Sequence, residues 1–422
     1  MNDPDRTLST MRHVDGARLI RHLTRLASFG GGGASVHDGV RRESLTDAEL
    51  AAKRWLLTLF PGPRYAWTQD HAANFILRRR GLDETLPPVL TGSHLDTQPT
   101  GGWLDGAYGV VAGYEACMAL DDAGIDTPRS IEIVAWTNEE GLRFAPGAMG
   151  SSAFANPVLL ERYRDAQDAD GVRFEDACHA ARAGLPALPL AALGRPVHAY
   201  LEAHIEQGPV MEARGASLGI VEGIQGVRWY RVTVQGRSAH AGTTPAAARQ
   251  DALLAAARLI TTLHDAVQAL GDDRVRWTVG QFVARPGSVN TIAEQADFTI
   301  DLRHPDAAVL ARIESLLEAL LQQPHGACTA RMSRLMDRAP TVFHPLAVQA
   351  IQAAVAATGA PHCRLTSGAF HDAMYLADIC PAAMLFVPSI DGISHHPQEH
   401  TRHEDLITGT RALTAALLQL AH

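Results

Sequence analysis

Two short apolar runs in the first half of the chain are each followed by a polar segment. Residues 88–92 lead into the polar segment 93–96, and residues 130–136 lead into the polar segment 137–140. Between the two runs, residues 106–120 have the spacing of a buried helix. A strand–helix–strand unit predicts an α/β fold with a mostly parallel sheet, in which ligands bind at the carboxyl ends of strands. Both polar segments are expected at that edge.

The segment 226–335 has a different order of predicted strands and helices, which indicates a second domain. Its predicted elements are strands at 229–235, 276–283, 297–303 and 329–335 and helices at 251–270 and 307–321. The order β-α-β-β-α-β is that of the split βαβ sandwich. We therefore expect a catalytic domain formed by residues 1–216 and 334–422, with an inserted domain at 217–333.

Composition narrows the class of protein. Hydrophobic residues make up 46% of the 422 positions and charged residues 20%, which is ordinary for a soluble globular protein. No apolar run approaches the ~20 residues that cross a bilayer, and the first residues have no apolar signal segment, so we expect a cytoplasmic protein. The five cysteines form no C-x-x-C pair, which argues against a disulfide framework. The net charge of −9 argues against nucleic acid or an anionic membrane as a partner.

Histidines and carboxylates near these segments have the chemistry of a two-metal site. The candidate ligands are His94, Asp105, Glu140, His204 and His395. A lone histidine is more often a hydrogen-bonded core or surface residue, but two adjacent glutamates directly after a buried strand are costly without a cation. Two divalent ions about 3.5–4 Å apart need mixed nitrogen and oxygen ligands and a bridging carboxylate, here Asp105. No cysteine is among the ligands, so zinc, which we favour, manganese, cobalt and nickel all fit.

Two further acids are assigned supporting roles from the alternation of side chains along a strand. Glu139 should point away from Glu140, so that one of them can bind a metal ion while the other transfers protons. Asp96 lies two residues after His94 and should accept the second imidazole N–H with its carboxylate.

Many separate motifs resemble one family. They are Thr91-Gly-Ser-His-Leu-Asp96 with Gly101-Gly-Trp-Leu-Asp-Gly106, Trp136-Thr-Asn-Glu-Glu-Gly141, Arg143-Phe-Ala-Pro146, His204-Ile-Glu-Gln-Gly-Pro209, Ser238-Ala-His-Ala-Gly-Thr-Thr-Pro245, Asn290-Thr-Ile-Ala293, Asp301-Leu-Arg-His-Pro305, Ser367-Gly-Ala369 with His371-Asp-Ala373, and Ser394-His395 with Pro397 and Glu399. The chain resembles the M20 metallopeptidase/amidohydrolase superfamily. Within it, the motifs are similar to the hydantoinase/carbamoylase amidases, which include N-carbamoyl-L-amino-acid hydrolases, beta-ureidopropionases and allantoate amidohydrolases.

The resemblance implies a division of labour among the candidate residues. His94, Asp105 and His204 would bind one metal ion, and Asp105, Glu140 and His395 the other. Glu139 would be the general base. Substrate contacts would come from Gln207, His240, Asn290 and Arg303. The inserted domain would serve as lid and dimerisation surface, with His240 reaching the active site of the partner subunit.

The three substrate candidates in the inserted domain have plainer alternatives. Arg303 lies on the polar face of the strand 297–303, where it can grip a carboxylate in a bidentate fork or form a surface ion pair with Asp301 or Asp297. His240 could donate to a developing oxyanion or face solvent from its loop. Asn290 could equally cap a turn.

Two positions depart from the family pattern or compete with it. Phe370 stands where the family more often has glycine, so a phenyl ring would narrow or re-line the substrate pocket. His396 competes with His395 as a ligand on spacing alone, and the family pattern favours His395.

These observations predict a binuclear amidohydrolase that cleaves the ureido C–N bond of N-carbamoyl-L-amino acids, with a carboxylate-bearing ureido molecule as its small-molecule partner. Allantoate amidohydrolase and beta-ureidopropionase are close alternatives with the same metal chemistry. An M20 peptidase or aminoacylase is more distant, because Gln207 and Arg303 belong to the ureido-cleaving pattern. A metal-stabilised binding protein without catalysis would be expected to lack Glu139.

Overall fold

The computed structural model describes residues 4–33, 35–60 and 62–422. The helices of this part of the chain are α1 Pro4–Arg12, α2 Gly16–Ala27, α3 Asp47–Leu57, α4 Ala107–Asp122, α5 Met149–Ala155, α6 Val158–Tyr163, α7 Phe174–Ala183, α8 Val210–Ala213, α9 Ala252–Gln268, α10 Ala307–Leu321, α11 Pro345–Thr358, α12 Ala373–Leu376 and α13 His403–Ala421. The strands are β1 Tyr65–Gln69, β2 Phe75–Arg79, β3 Val89–His94, β4 Ile131–Trp136, β5 Ala199–Ile205, β6 Leu218–Ile224, β7 Gly226–Gln235, β8 Ala239–His240, β9 Arg276–Arg285, β10 Thr291–Ile292, β11 Gln295–His304, β12 Thr329–Arg338, β13 Thr341–Val342, β14 His362–Ser367 and β15 Ala382–Val387.

The chain divides into two compact units. The first consists of residues 1–222 and 343–422, and the second of residues 223–342. The boundaries expected from the sequence, 217 and 333, are each several residues earlier. The reason is that β6 pairs with β15 as far as Val221, and that β12 continues to Arg338 beside β7.

A large sheet with a parallel centre forms the core of the first unit. Its strand order is β1-β2-β4-β3-β5-β15-β6, with β14 also beside β6. β3 is parallel to β4 and to β5, and β15 is parallel to β5. The pairs β1–β2, β2–β4 and β15–β6 are antiparallel. The predicted mainly parallel α/β sheet is therefore confirmed at the centre, with antiparallel strands towards both edges.

The apolar composition of α4 explains its position against this sheet. A helix that is hydrophobic on all sides is buried, and α4 is buried over almost its whole length. It packs on β3, and α13 packs on α4 and α11. The burial of β3 and β4 at every position follows from helices and neighbouring strands that cover them. Both predicted strands and the predicted helix between them are confirmed.

The second unit contains a four-stranded antiparallel sheet, ordered β12-β7-β11-β9, and a two-stranded pair of β8 and β10. Strand β11 alternates between buried and half-buried positions along its whole length. Its buried side chains and those of β7 pack against α9 and α10 in one apolar cluster. The opposite face of the sheet carries polar and charged side chains, as expected when helices cover only one face. Among the described residues, no helix is long and apolar enough to cross a membrane.

Candidate functional site

Three of the candidate ligands meet at the carboxyl ends of β3 and β5. His94 is the last residue of β3, and His204 is the second-last residue of β5. Their Nε2 atoms lie 3.5 Å and 3.3 Å from Oδ1 of Asp105. All three side chains are buried, and their ligand atoms fall within 4.8 Å of one another. This first cluster therefore has two imidazoles around one carboxylate oxygen.

A second cluster uses the other oxygen of the same carboxylate. His395 Nε2 lies 3.5 Å from Asp105 Oδ2 and 3.5 Å from Glu140 Oε2. His395 has a left-handed backbone, with φ of 56°, in the loop that follows β15. His396 accepts a backbone N–H from Gln398 at 3.1 Å and is outside both clusters. Asp105 thus presents one oxygen to each cluster, which is the arrangement of a bridging ligand.

Glycine at position 106 allows Asp105 to approach His94. A Cβ on Gly106 would overlap the imidazole ring of His94, and the residue has a φ of 65°. Only glycine adopts this backbone conformation without strain. The Asp105-Gly106 pair therefore positions both the carboxylate and the start of α4.

Hydrogen bonds on the far side of the two imidazoles orient their ligand atoms. His94 Nδ1 lies 2.9 Å from the carbonyl oxygen of Asp96, and His204 Nδ1 lies 2.9 Å from the carbonyl oxygen of Ile205. A carbonyl oxygen only accepts, so each Nδ1 must donate its hydrogen. In the neutral form of each ring, Nε2 is therefore left with a lone pair towards the cluster, which is the usual outer arrangement around a metal site.

The Asp96 carboxylate was expected to accept the second N–H of His94, and its Oδ1 lies 3.8 Å from His94 Nδ1, beyond hydrogen-bond distance. His94 Nδ1 donates instead to the backbone carbonyl of Asp96. The Asp96 carboxylate accepts the backbone N–H groups of Glu139 and Glu140 at 3.3 Å and 3.1 Å. Asp96 lies beyond the end of β3, where strand alternation no longer determines the direction of a side chain. Its carboxylate fixes the turn that carries the paired glutamates.

Glu139 and Glu140 lie beyond the end of β4, so the strand alternation from which opposite directions were expected does not extend to them. Glu139 Oε2 lies 3.5 Å from His94 Nε2, whereas Glu140 lies beside His395, so both carboxylates reach the clusters. Strand β4 ends at Trp136, and Asn138 turns the chain with a φ of 57°. The turn, rather than strand alternation, separates the surroundings of the two glutamates.

The electrostatics of the site favour a bound cation. Burial raises the pKa of Glu139 well above its usual range, and the charges of Asp372 and Glu140 add to this effect. Burial alone would lower the pKa of His94, but the charges of Glu139 and its neighbours outweigh burial and raise it well above its usual value. Burial also raises the pKa of Glu140, to about 8. A buried surplus of carboxylates is stabilised by positive charge, which divalent cations would supply.

The amide group of Gln207 contacts two predicted metal ligands, Asp105 and His395. Its side-chain amide nitrogen lies 2.8 Å from Asp105 Oδ2 and 3.1 Å from His395 Nε2. A hydrogen-bond donor therefore occupies the space between two predicted ligands of the second cluster. Gln98 does the same for Glu140, with its amide nitrogen 2.6 Å from Oε2. The donor set fits divalent ions of the harder, oxygen- and nitrogen-binding kind.

One residue that holds the site together was given no role from the sequence. Glu399 is fully buried, and its Oε1 accepts the backbone N–H groups of Leu104 and Asp105, each at 3.0 Å. Ser394 Oγ lies 3.0 Å from Glu399 Oε2 and 2.8 Å from Asp105 Oδ2. Glu399 stands in the Ser394 motif, but only the fold brings it under the loop of Asp105.

Another group behind the ligands was also missed. Glu202 is buried in β5, where it accepts hydrogen bonds from Ser93 Oγ at 2.7 Å and from the Ala373 backbone at 2.9 Å. The ring of His371 lies 4.6 Å from that of His204, and its Nε2 is 2.9 Å from Ser367 Oγ. A carboxylate two residues before a candidate ligand in an apolar strand was the available signal in the sequence.

The other predicted substrate residues belong to the second unit. His240 pairs with Thr291 across β8 and β10, and the Asn290 carbonyl accepts the backbone N–H of Ala241 at 2.9 Å. Arg303 donates to both carboxylate oxygens of Asp301, with Nη2 2.8 Å from Oδ2 and Nε 3.0 Å from Oδ1. His240 and Asn290 are therefore neighbours, while the Arg303 fork holds Asp301, as in the ion-pair alternative.

Comparisons with known proteins show the family to which the chain belongs. Residues 90–419 match the sequence profile described as peptidase family M20/M25/M40. The chain is 37% identical over 412 residues to an N-carbamoyl-L-amino acid amidohydrolase of Geobacillus stearothermophilus, which covers 97% of this chain and 99% of the relative. It is 36% identical over 356 residues to the allantoate amidohydrolase of Escherichia coli K12, covering 83% and 86% of the two chains.

A solved structure extends the likeness to the whole fold. The crystal structure of a hydantoinase/carbamoylase family amidase from Burkholderia multivorans superposes with a TM-score of 0.87 at 39% identity. The match covers 97% of this chain and 98% of that one. The profile spans well over half of the chain, and relatives named as amidohydrolases span nearly all of it. The chain therefore belongs to peptidase family M20/M25/M40, among its amidohydrolase relatives of the hydantoinase/carbamoylase type.

Proposed function

We propose that the protein is a binuclear metal-dependent amidohydrolase that cleaves the ureido C–N bond of N-carbamoyl-L-amino acids. The observation that carries the proposal is the carboxylate of Asp105, which offers one oxygen to His94 and His204 and the other to His395. The relatives named as N-carbamoyl-L-amino acid amidohydrolases suggest this substrate. The products of the reaction would be the amino acid, ammonia and carbon dioxide.

The metal ligands are the residues of the two clusters. His94, Asp105 and His204 would hold one divalent ion, and Asp105, Glu140 and His395 the other. When bound, the ions would polarise the carbonyl of the substrate and lower the pKa of a water molecule towards neutrality. Zinc is favoured, and manganese, cobalt and nickel satisfy the same donor set.

Glu139 is the proposed proton-transfer residue. Its carboxylate approaches His94, yet it lies outside the two clusters and outside the third group of possible ligands, Glu202, His204 and His371. It would accept the proton of the attacking water and pass it to the leaving nitrogen, and the high pKa produced by its burial favours a carboxyl group that can hold a proton. Asp96 supports this role, because its carboxylate fixes the backbone at Glu139 and Glu140.

Gln207, His240, Asn290 and Arg303 are the proposed substrate contacts. Nδ1 of His240 accepts backbone N–H groups from Gly242 at 3.1 Å and Thr243 at 3.2 Å. The neutral ring therefore carries its hydrogen on Nε2, where it can donate to a developing oxyanion. Arg303 and Asn290 would grip the substrate carboxylate, and for Arg303 this requires exchanging Asp301 for the substrate.

The second unit is proposed to act as a lid and as the dimerisation surface, with His240 serving the site of the partner subunit. Its sheet ends in the edge strands β9 and β12. Edge strands keep unpaired backbone groups on one side, which suits pairing with a second copy.

An ammonia-release screen of the metal-reconstituted protein tests the proposed function. It should cover N-carbamoyl-L-amino acids, ureidopropionate and allantoate, with and without prior chelation. We expect metal-dependent release with N-carbamoyl-L-amino acids as the best substrates. A preference for allantoate would establish the second candidate, which the Escherichia coli relative supports. Release from no ureido compound would refute both.

A further inference from the structure

The open face of the sheet in the second unit contains a cavity of about 640 Å³ that is lined by three arginines. Arg231, Arg285 and Arg331 line it together with hydroxyl and amide side chains. The opposite face of the same strands packs on α9 and α10. The cavity is therefore lined by side chains that alternate along the strands with those of the core.

The register of the strands brings two of these arginines close together. Arg331 lies opposite Thr233 across β12 and β7, and Arg231 lies opposite Ser333 across the same pair. Arg231 and Arg331 are therefore diagonal neighbours on one face, with Cβ atoms roughly 7–8 Å apart or less. Both side chains are exposed and line the same cavity, so their guanidinium groups can approach one bound molecule together.

The single carboxylate of the cavity does not neutralise this pair. Asp297 accepts hydrogen bonds from Thr233 Oγ1 and from Gln295 Nε2, both at 2.7 Å, and it is ion-paired with Arg285. Among the described residues, neither Arg231 nor Arg331 makes a side-chain hydrogen bond or an ion pair. Two guanidinium groups are thus left with their donors directed to the cavity side of the sheet, in a chain whose net charge is −9.

We propose that this cavity, defined by Arg231, Arg285, Arg331, Thr233 and Ser333, is a binding site for a small anion with two negative charges, of the dicarboxylate or phosphate type. Guanidinium groups bind carboxylate and phosphate oxygens in paired, charge-assisted hydrogen bonds. The hydroxyl of Ser333 stands opposite Arg231 and adds a neutral donor, whereas the hydroxyl hydrogen of Thr233 is directed to Asp297. Such a site is separate from the clusters around Asp105, and it does not depend on the proposed reaction.

Calorimetric titration of the full-length, metal-loaded protein tests the site, with succinate, inorganic phosphate and acetate as probes. The comparison is between the wild type, the double variant Arg231→Gln/Arg331→Gln and the control variant Arg258→Gln. Arg258 is an exposed arginine on α9, on the other side of the same unit, and its loss changes the net charge without touching the cavity. Any anion that binds at the metal centre contributes equally in all three proteins.

We expect the wild type and Arg258→Gln to bind one equivalent more of succinate or phosphate than the double variant, whose affinity at this site falls at least ~10-fold, a change that corresponds to about 1.4 kcal/mol. Acetate, with one charge, should bind more weakly than either dianion. Tighter binding of phosphate than of succinate would identify a phosphate-bearing ligand, and the reverse a dicarboxylate. Equal binding by the wild type and the double variant, or equal loss in Arg258→Gln, would overturn the proposal.

A second variant keeps the test independent of folding defects. Ser333→Glu places a carboxylate directly opposite Arg231, where an opposite-charge cross-strand pair stabilises the sheet. The new carboxylate should form an ion pair with the Arg231 guanidinium and prevent the anion from binding there, while the melting temperature stays at the wild-type value. Retained anion binding in this variant would contradict the proposed site.

Discussion

Glu399 accepts the backbone N–H of Asp105 at 3.0 Å, although 294 residues separate the two in the sequence. A Cβ on Gly102 would overlap the Glu399 side chain, so the loop before Asp105 can approach this carboxylate only with glycine there. Through Ser394, the same carboxylate also reaches the loop of His395. Asp105 and the loop of His395, both proposed to bind metal, are therefore held by the same buried carboxylate.

Replacement of Glu399 is expected to weaken metal binding. Glu399→Ala removes the acceptor of two backbone N–H groups, and outer groups of this kind usually contribute ~10–100-fold in metal affinity. Glu399→Gln keeps an oxygen for both N–H groups and should restore most of the affinity. Competition with a chelating dye measures the two metal dissociation constants. Unchanged affinities in Glu399→Ala would show that Glu399 has no positioning role.

Replacement of the proposed general base should separate chemistry from metal binding. Glu139→Gln is expected to lower kcat by ~10²–10⁴ while both metal ions stay bound, because Glu139 lies beside the two clusters. Elemental analysis and steady-state kinetics provide the two readouts. The matched control is Glu140→Gln, which should lose metal. Metal loss in Glu139→Gln instead would reverse the roles of the pair.

Arg303→Lys should raise KM more than it lowers kcat. Lysine offers a point charge where a carboxylate needs a planar fork, and the substrate carboxylate is remote from the reacting carbonyl. The control is Arg312→Lys, an exposed arginine on α10 of the same unit. An unchanged KM for every carboxylate substrate would leave Arg303 as the partner of Asp301 only.

Mixing two inactive proteins tests whether His240 acts across the subunit boundary. His240→Ala is expected to lower kcat by ~10²–10³, the usual effect of removing an oxyanion donor. If subunits exchange with Glu139→Gln, a mixed dimer has one intact site, and activity should return to about a quarter of the wild type. No recovery, with exchange confirmed by mass measurement, would place His240 in its own subunit's site.

The stability of the fold should depend on Asp70 in mildly acidic solution. Burial raises the pKa of Asp70 to about 6, above its ordinary value of 3.8, although Asn74 and two backbone N–H groups donate to it. Because the folded pKa is raised, the protonated acid is accommodated at low pH, and the cost of the buried charge appears as pH rises from 3.8 to 6.

Asp70→Asn is neutral throughout this range and keeps an oxygen for the backbone N–H groups. The wild type should therefore lose on the order of 2–3 kcal/mol of unfolding free energy relative to the variant between these pH values. Denaturant titrations of both proteins at pH 4 and 6 measure the difference. A constant difference between the two proteins would show that Asp70 has an ordinary pKa.

Sequence patterns were sufficient where local periodicity decides the structure. The apolar runs of β3 and β4 predicted buried parallel strands, and the alternation at Arg303 predicted its polar face. The sequence patterns failed where a turn begins. Asn138 has a left-handed backbone that changes the direction of the chain before Glu139, so strand alternation cannot be extended to Glu139. They also missed Glu399, because its partners lie almost 300 residues away and only the finished sheet brings them together.

The place of β15 in the sheet determines when the centre can exist at all. β15 lies between β5 and β6 in the sheet. In the sequence, the second unit separates β15 from these two strands, and the loop after β15 contains His395. A nascent or truncated chain that ends before β15 already has four of the five proposed ligands, but it lacks the strand between β5 and β6. Its two exposed strand edges would mark it for aggregation or proteolysis. The proposed metal centre can therefore be complete only after β15 has been synthesised and added to the sheet.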